Sequence, residues 1–106
     1  MTPRWEESEF VFCDLQAIAR FISGWNPPAA RRFLIAAHDT FEFLAANPGM
    51  GRNRADLGFE EVRSWRVQNF PRHLVFYRVM AGDRIQILRV LHGTRDLSRE
   101  LSQSSG

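Results

Sequence analysis

The sequence contains no lysine, so all fourteen of its basic residues are arginine. A guanidinium group stays protonated at physiological pH and grips a carboxylate or a phosphate through two parallel hydrogen bonds. These side chains are therefore suited to binding anions and stabilising negative charge. Proton abstraction by any of them is excluded.

Cysteine is almost as scarce, because Cys13 is the single one. One cysteine excludes an internal disulfide and any multi-cysteine metal site, and it is typical of a reducing compartment. We expect Cys13 to be a small core residue. No segment approaches the roughly 18 apolar residues of a membrane span, and the N-terminus has no signal-peptide core. These absences predict a cytoplasmic protein without a membrane partner.

Several catalytic signatures are also missing. No GxSxG motif and no glycine-rich phosphate loop occurs, so covalent serine chemistry and nucleotide-dependent chemistry have no support. The three histidines, at positions 38, 73 and 92, lie far apart in the sequence. Only His38 has an acidic neighbour, Asp39, and adjacent helical residues point to different faces. The sequence therefore predicts neither a metal site nor a cofactor.

What is present is an ordinary globular composition with an uneven distribution of charge. The 106 residues are 44% hydrophobic and 25% charged, which predicts a single domain over residues 1–106. Residues 1–50 carry four arginines against six acidic residues, a net charge of −2, whereas residues 51–106 carry ten against six, a net charge of +4. We expect an acidic partner to dock on the second half.

Two helices are predicted in the first half. Apolar residues recur at helical spacing from Asp14, a candidate N-cap, to Gly24. Asn26, followed by two prolines, begins a longer helix over about residues 27–46. Such a short connection predicts an antiparallel helical hairpin with its apolar side turned towards the rest of the fold. The residues expected to fill the core between helix and sheet are Phe33, Phe41 and Leu44.

Three β-strands are predicted in the second half, where β-branched and aromatic residues are frequent, at residues 62–67, 73–80 and 84–91. They form an antiparallel meander. Alternation is incomplete in its last two strands, and in the last one Leu88 and Val90 are expected on the face opposite Ile85 and Ile87. The sheet is apolar on both sides. Helices are therefore expected to cover one face, and a tail, another helix or a partner the other.

Three further segments have simpler interpretations. Residues 49–60, GMGRNRADLGFE, are polar and contain glycine, which favours a solvated connector over a binding loop. Residues 1–10 either add a first strand or remain irregular. Residues 98–106 are expected to form a frayed end.

The stretch RVLHGTRDL, residues 89–97, brings a histidine and an arginine close together at the end of the last strand. A metal-free ribonuclease needs a base for the ribose 2′-hydroxyl, a cation beside the phosphorane and an acid for the leaving oxygen. Arginine serves only the second role, so His73, His92 or Tyr77 would have to supply the others, and their spacing does not show that they converge. The alternative for Tyr77 and His92 is aromatic packing with one hydrogen bond from the polar end.

The order of these elements and three segments of sequence resemble a known family. The segments LAANPGMGRNRADL, VRSWRVQNFPRHLVFYRV and RIQILRVLHGTRDL are similar to toxins of the RelE/ParE superfamily of bacterial type II toxin–antitoxin systems, and most similar to the ParE branch. The resemblance covers about residues 14–97. Its most specific part is FYR at residues 76–78 combined with ILRVLHGTRDL at residues 87–97.

The resemblance implies an α+β fold in which an N-terminal antiparallel helical hairpin packs on a twisted antiparallel β-sheet of three to four strands. It also implies a cognate antitoxin, whose acidic, ParD-like C-terminal segment binds the toxin directly in a hetero-oligomer. The basic second half agrees with such a partner. ParE-like toxins are taken to inhibit DNA gyrase and are associated with plasmid stabilisation, whereas RelE-like relatives cleave messenger RNA in the ribosome.

Absences help to decide between these two targets. RelE-type ribonucleases use basic residues, often lysine, on the sheet and commonly a late tyrosine or histidine, and here neither a lysine nor a late aromatic after Arg95 occurs. We therefore expect a non-enzymatic gyrase inhibitor without sequence-specific nucleic-acid binding, in which His92 is structural. A RelE-like ribosome-dependent mRNA endoribonuclease and a degenerate toxin that only binds its antitoxin remain as alternatives. The residues expected to bind antitoxin or target are Arg63, Arg66, Arg72, Arg78 and Arg95.

Overall fold

The structure, a computed structural model, describes residues 5–104 of the chain. Within this range the strands are β1 (Trp5–Glu7), β2 (Arg52–Arg54), β3 (Phe59–Val67), β4 (Phe70–Val79) and β5 (Ile85–His92). The helices are α1 (Val11–Ser23), α2 (Pro27–Ala46) and α3 (Leu97–Ser104), and short 3-10 turns occupy Ala55–Leu57 and Ala81–Asp83. The fold is therefore α+β, as the sequence predicts.

The strands form one mixed sheet in the order β1–β5–β4–β3–β2. Neighbouring strands are antiparallel except that β1 runs parallel to β5. The prediction of a purely antiparallel sheet of three to four strands is therefore wrong, since the sheet has five strands and is mixed. Both β1 and β2 are three residues long, which is too short for alternation to be recognised. Residues 1–4 of the ambiguous first segment lie outside the described residues.

The structure confirms one of the two predicted helix starts. α2 covers the predicted residues 27–46, and the Asn26 side chain accepts a hydrogen bond from the Ala29 N–H at 3.2 Å. α1 begins earlier than predicted, at Val11, so Asp14 lies in its first turn and is not its N-cap. No helix within the described range combines the length and the apolar content that crossing a membrane requires.

The larger core lies between the first two helices and one face of the sheet. Phe33, Phe41 and Leu44 are no more than 2% exposed there, as predicted. They meet buried side chains of the three long strands, which are Val67, Val75, Tyr77, Ile85, Ile87 and Val90. Cys13 is exposed, and its predicted place in the core is wrong because it lies off the buried stripe of α1.

The opposite face of the sheet is covered by α3, as expected of a sheet that is apolar on both sides. Leu101 is 2% exposed, and it packs with buried residues of three strands, which are Val62, Phe76 and Leu91. The predicted frayed end is therefore wrong for residues 98–104, and residues 105–106 lie outside the described range. The sequence LSRELSQS does not predict this helix, because only two of its residues are apolar.

A β-bulge changes which residues of β5 face the helices. The register inserts one extra residue, Leu88, opposite the junction of Phe76 and Tyr77 on β4. Val90 therefore joins Ile87 on the helix side of the sheet. The predicted placement of Leu88 and Val90 on one face is wrong, because a pattern of period two does not reveal a bulge.

Candidate functional site

Among the ion pairs of the described residues, the one between α1 and β5 is the most enclosed on both sides. Arg89 donates hydrogen bonds from Nε and Nη2 to the two carboxylate oxygens of Asp14, at 2.7 and 2.8 Å, and both side chains are 10% exposed. The same carboxylate accepts the Val90 N–H at 3.0 Å. The hydrogen bonds that Arg89 donates to Asp14 raise the pKa of Arg89. These contacts indicate that Arg89 stabilises the fold.

A second arginine is buried in the segment that was predicted to be a solvated connector. Arg54 donates to Ser64 Oγ at 3.0 Å and to the Asp56 carboxylate at 3.0 and 3.1 Å, and its guanidinium lies 5.8 Å from the Phe76 ring centroid. The hydrogen bond from Arg54 lowers the pKa of Asp56. The connector interpretation is therefore wrong for residues 52–57, which form β2 and a 3-10 turn.

Tyr77 ties the loop after α2 to the sheet. Its hydroxyl donates to the Pro48 carbonyl at 2.7 Å and accepts the Gly51 N–H at 2.8 Å, and the residue is fully buried. A Cβ at position 51 would lie 2.5 Å from that hydroxyl oxygen, so this close approach requires glycine. Burial raises the pKa of Tyr77. The interpretation of Tyr77 as a packed aromatic with a hydrogen-bonded end is confirmed.

The five arginines predicted to bind a partner do not lie together. Arg63 and Arg78 border a depression of about 660 Å³ at one end of β3 and β4, beside two glutamates. Arg63 donates to the Gly51 carbonyl at 2.8 Å, and Arg78 donates to the Gln86 side chain at 2.8 Å. Both guanidinium groups therefore already have polar neighbours inside the protein.

The other three arginines lie in different places. Arg66 lines a groove of about 510 Å³ between α2 and β3, where Phe43 and Trp65 stack at 5.8 Å. Arg72 is exposed on β4. In the described part of the chain, neither Arg66 nor Arg72 makes a side-chain hydrogen bond or an ion pair. Arg95 follows β5 and reaches a carboxylate of α3 at 3.1 Å.

A cleft of about 350 Å³ separates α1 from the end of β5. Its walls are mainly apolar and come from Ala17, Ile18, Phe21, Val90 and Leu91. Four polar side chains also line it, which are Asp14, His73, His92 and Arg95. His73 pairs with His92 across the strands, and the two ring centroids are 5.1 Å apart. The structure thus brings together two histidines and an arginine whose convergence the sequence did not reveal.

The two histidines differ in their surroundings. His92 Nδ1 lies 2.7 Å from Thr94 Oγ1 and accepts the Thr94 N–H at 3.2 Å, so the interpretation of His92 as packed and hydrogen-bonded is confirmed. His73 packs edge-on against Phe33, and its Nδ1 is enclosed without a hydrogen-bond partner in the described part of the chain. Burial, and then the neighbouring His92, lowers the pKa of His73. Its neutral form is therefore favoured.

A separate cluster lies on the exposed side of α2. The potential ligand atoms of His38, Asp39 and Glu42 lie within 4.8 Å of one another. The prediction that the side chains of His38 and Asp39 diverge is therefore wrong, because their ligand atoms lie within this distance of each other as well as of Glu42. All three residues are exposed, and exposed acidic groups commonly approach one another without a metal ion. The cluster by itself is therefore no argument for a metal site.

Solved structures share this fold. A chain in the structure of the chromosomal ParDE TA system from P. aeruginosa superposes with a TM-score of 0.69, covering 83% of this chain and 92% of that chain at 23% sequence identity. At this identity the likeness shows a common fold.

The sequence comparisons define the class. The chain is 32% identical over 78 residues to Toxin ParE1 of Mycobacterium tuberculosis, in both strain CDC 1551 / Oshkosh and strain ATCC 25618 / H37Rv, across 73% of this chain and 74% of the relative. The class is thus that of type II toxin–antitoxin toxins. Residues 13–97 match the model of the family described as ParE toxin of type II toxin-antitoxin system, parDE, and the chain belongs to that family. The resemblance carried by FYR and LHGTRDL is confirmed.

Proposed function

We propose that this ParE-family toxin acts by binding DNA gyrase and is held inactive by a cognate antitoxin in a hetero-oligomer. Family membership supports the toxin role. One observation favours a protein-binding poison over an enzyme. Tyr77 is the single tyrosine of the chain, and its hydroxyl already donates to Pro48 and accepts from Gly51 inside the protein. It is therefore not available as an acid or a base.

The proposed antitoxin surface combines exposed apolar residues with arginines. Phe12, Phe21 and Trp25, on α1 and just after it, are 66%, 73% and 71% exposed. Large apolar side chains in such positions are typical of a protein-binding surface. The arginines that would meet acidic residues of a ParD-like C-terminal segment are Arg63, Arg66, Arg72, Arg78 and Arg95. Their charges would accelerate association most at low ionic strength.

A supercoiling assay with purified gyrase tests the target. We expect the toxin to abolish supercoiling and to accumulate cleaved gyrase–DNA complexes, and we expect prior addition of the antitoxin to prevent both effects. In cells, expression of the toxin alone should arrest growth and induce the DNA damage response. Full supercoiling activity in a large excess of folded toxin would refute gyrase as the target.

A ribosome-dependent ribonuclease is the second candidate, and it is favoured by the cleft that His73, His92 and Arg95 line together. Two imidazoles and a guanidinium are groups with which metal-free RNA cleavage can proceed. Against this reading, the walls of the cleft are mainly apolar and His73 Nδ1 is enclosed. Cleaved messenger RNA after expression, lost in a His92→Gln variant, would establish the enzyme. Unaffected growth would identify a degenerate toxin.

Arg95→Ala tests the proposed arginine surface for either target. The Arg95 side chain is 57% exposed, so its removal should weaken toxicity while the fold is retained. Arg99→Ala is the matched control, because Arg99 is an exposed arginine of α3 outside the proposed set. A folded Arg95→Ala variant with full toxicity would remove Arg95 from the surface that binds the target.

A further inference from the structure

We propose that the cleft between α1 and β5 is a carboxylate-binding site, in which His73, His92 and Arg95 take up an aspartate or glutamate side chain of the antitoxin together with one proton. This inference rests on the proposed toxin role. It adds a specific contact to that role and makes the association with the antitoxin dependent on pH.

The first argument is an unsatisfied polar atom beside the cleft. His73 Nδ1 is enclosed and has no hydrogen-bond partner in the described part of the chain, although buried polar atoms are almost always paired. In the adjacent ring, His92 Nδ1 accepts a hydrogen bond from the Thr94 N–H, so the proton of neutral His92 lies on Nε2. The pair therefore combines a donor on one ring with unused hydrogen-bonding capacity on the other.

The second argument is the charge of the groups around the histidine pair. α1 contributes Asp14, which is already bound by Arg89 at 2.7 and 2.8 Å. α3 contributes Glu100, which lies 3.5 Å from Arg89 and 3.1 Å from Arg95. α2 contributes the uncharged ring of Phe33. Both neighbouring acids thus have arginine partners, and these two acids and two arginines sum to zero charge. An incoming carboxylate would therefore be balanced by the one proton that the histidine pair takes up.

The third argument favours a carboxylate on a protein over a phosphate of RNA. Most of the cleft wall is apolar, and Phe21, at its edge, is 73% exposed. A peptide supplies apolar side chains beside its carboxylate, and these would cover Phe21 and the wall. A polynucleotide instead needs several cations along its backbone, and Arg95 is the one arginine among the residues described as lining the cleft.

Proton uptake follows from the state of His73 before binding. Burial and the neighbouring His92 lower the pKa of His73, so the ring is neutral near neutral pH. A carboxylate beside the ring favours the imidazolium and raises that pKa. The affinity for the antitoxin is therefore highest below the pKa of His73 in the free toxin, and it decreases as the pH rises towards the pKa of His73 in the complex. In this window the Kd increases by about tenfold per pH unit for one proton.

Isothermal titration calorimetry of the toxin with the antitoxin encoded by the adjoining gene tests this inference. Titrations between about pH 5.5 and 8, the range in which histidine titrates, are run in two buffers of different ionisation enthalpy. We expect uptake of about one proton by the wild type and none by His73→Gln, which lacks the ring that takes up the proton. His92→Gln, which lacks the ring that donates to the carboxylate, should bind the antitoxin more weakly. Arg95→Gln should weaken binding about tenfold, the effect of losing one charge-assisted hydrogen bond. His38→Gln, an exposed histidine of α2, is the control and should keep the proton uptake.

The outcomes separate this inference from the proposed function. Tight binding without proton uptake at any pH would overturn the carboxylate site and leave the antitoxin role intact. Absence of any binding would overturn the proposed function itself. A short RNA that shifts the ring NMR signals of His73 and His92 and competes with the antitoxin would assign the cleft to phosphate and overturn the proposal. If circular dichroism shows that His73→Gln does not fold, His92→Gln is the decisive variant, and an unchanged Kd for the antitoxin would overturn the carboxylate site.

Discussion

Asp14→Asn removes one charge from the ion pair that joins α1 to β5. The wild-type carboxylate accepts two hydrogen bonds from Arg89, at 2.7 and 2.8 Å, and one from the Val90 N–H at 3.0 Å. An asparagine oxygen in the place of Oδ2 can still accept from the Val90 N–H and from Arg89 Nε, but the amide NH₂ group then faces the Nη2 donor of the guanidinium. A side chain that is 10% exposed is thereby left without its counter-charge.

The expected cost follows from this burial. Removing one partner of a buried ion pair costs about 3–5 kcal/mol, because the remaining charge is uncompensated. Glu100 lies 3.5 Å from Arg89 and retains part of the compensation, so we expect the lower end, about 3 kcal/mol. For a domain of this length, that loss corresponds to a decrease in Tm of roughly 12–24 °C.

Urea denaturation followed by circular dichroism measures this loss. Glu6→Gln is the matched control, because Glu6 lies 3.9 Å from Arg84 in a pair whose side chains are 54% and 44% exposed, and it should cost less than about 1 kcal/mol. The double variant Asp14→Leu with Arg89→Leu should be more stable than Asp14→Asn, since it leaves no buried charge. A free energy of unfolding for Asp14→Asn within about 0.5 kcal/mol of the wild type would refute the reasoning.

Three further substitutions and one change of pH test other parts of the fold. Tyr77→Phe should lower the free energy of unfolding by about 1–3 kcal/mol through its lost hydrogen bonds. Gly51→Ala should lower the free energy of unfolding by a similar amount, because the added Cβ crowds the Tyr77 ring. Gly49→Ala is its control, since no atom lies within 4 Å of the added Cβ. Equal urea midpoints for the two alanine variants would contradict this prediction. Leu101→Ala should cost about 2–5 kcal/mol, and an unchanged midpoint would show that α3 does not cover the sheet. The free energy of unfolding should decrease as the pH falls from the ordinary histidine pKa of 6.5 towards the lowered pKa of His73. The reason is that the unfolded chain binds the proton more readily than the folded one. A His73→Phe variant with the same pH profile would exclude this residue as the cause.

The long elements could be predicted because their patterns are strong. α2 matches residues 27–46, since Asn26 supplies a capping side chain and the prolines that follow are tolerated only in a first turn. Helical spacing alone then placed Phe33, Phe41 and Leu44 in the core.

The short and irregular elements could not be predicted, because tertiary contacts create them. β1 and β2 are three residues long and exist as strands only through pairing with β5 and β3. The bulge at Leu88 moves Val90 to the other face without any mark in the sequence. The cleft was missed for the same reason, since the pairing of His73 with His92 depends on a strand register that composition does not contain.

The arginines fall into two groups, those bound by contacts within the fold and those without such contacts, and the composition does not distinguish them. Arg89 becomes structural because Asp14, 75 positions away, reaches it from α1, and Arg54 becomes structural through contacts within its own loop and β3. A guanidinium that is bound in this way contributes to the fold whether or not a partner arrives. Arg66 and Arg72 have no such contact in the described part of the chain, so their charge is available to an acidic segment. The arginine surface that we propose for the antitoxin is therefore smaller than the net charge of the second half indicates. In this proposal the histidine cleft and the exposed aromatic residues on and just after α1 would supply further affinity.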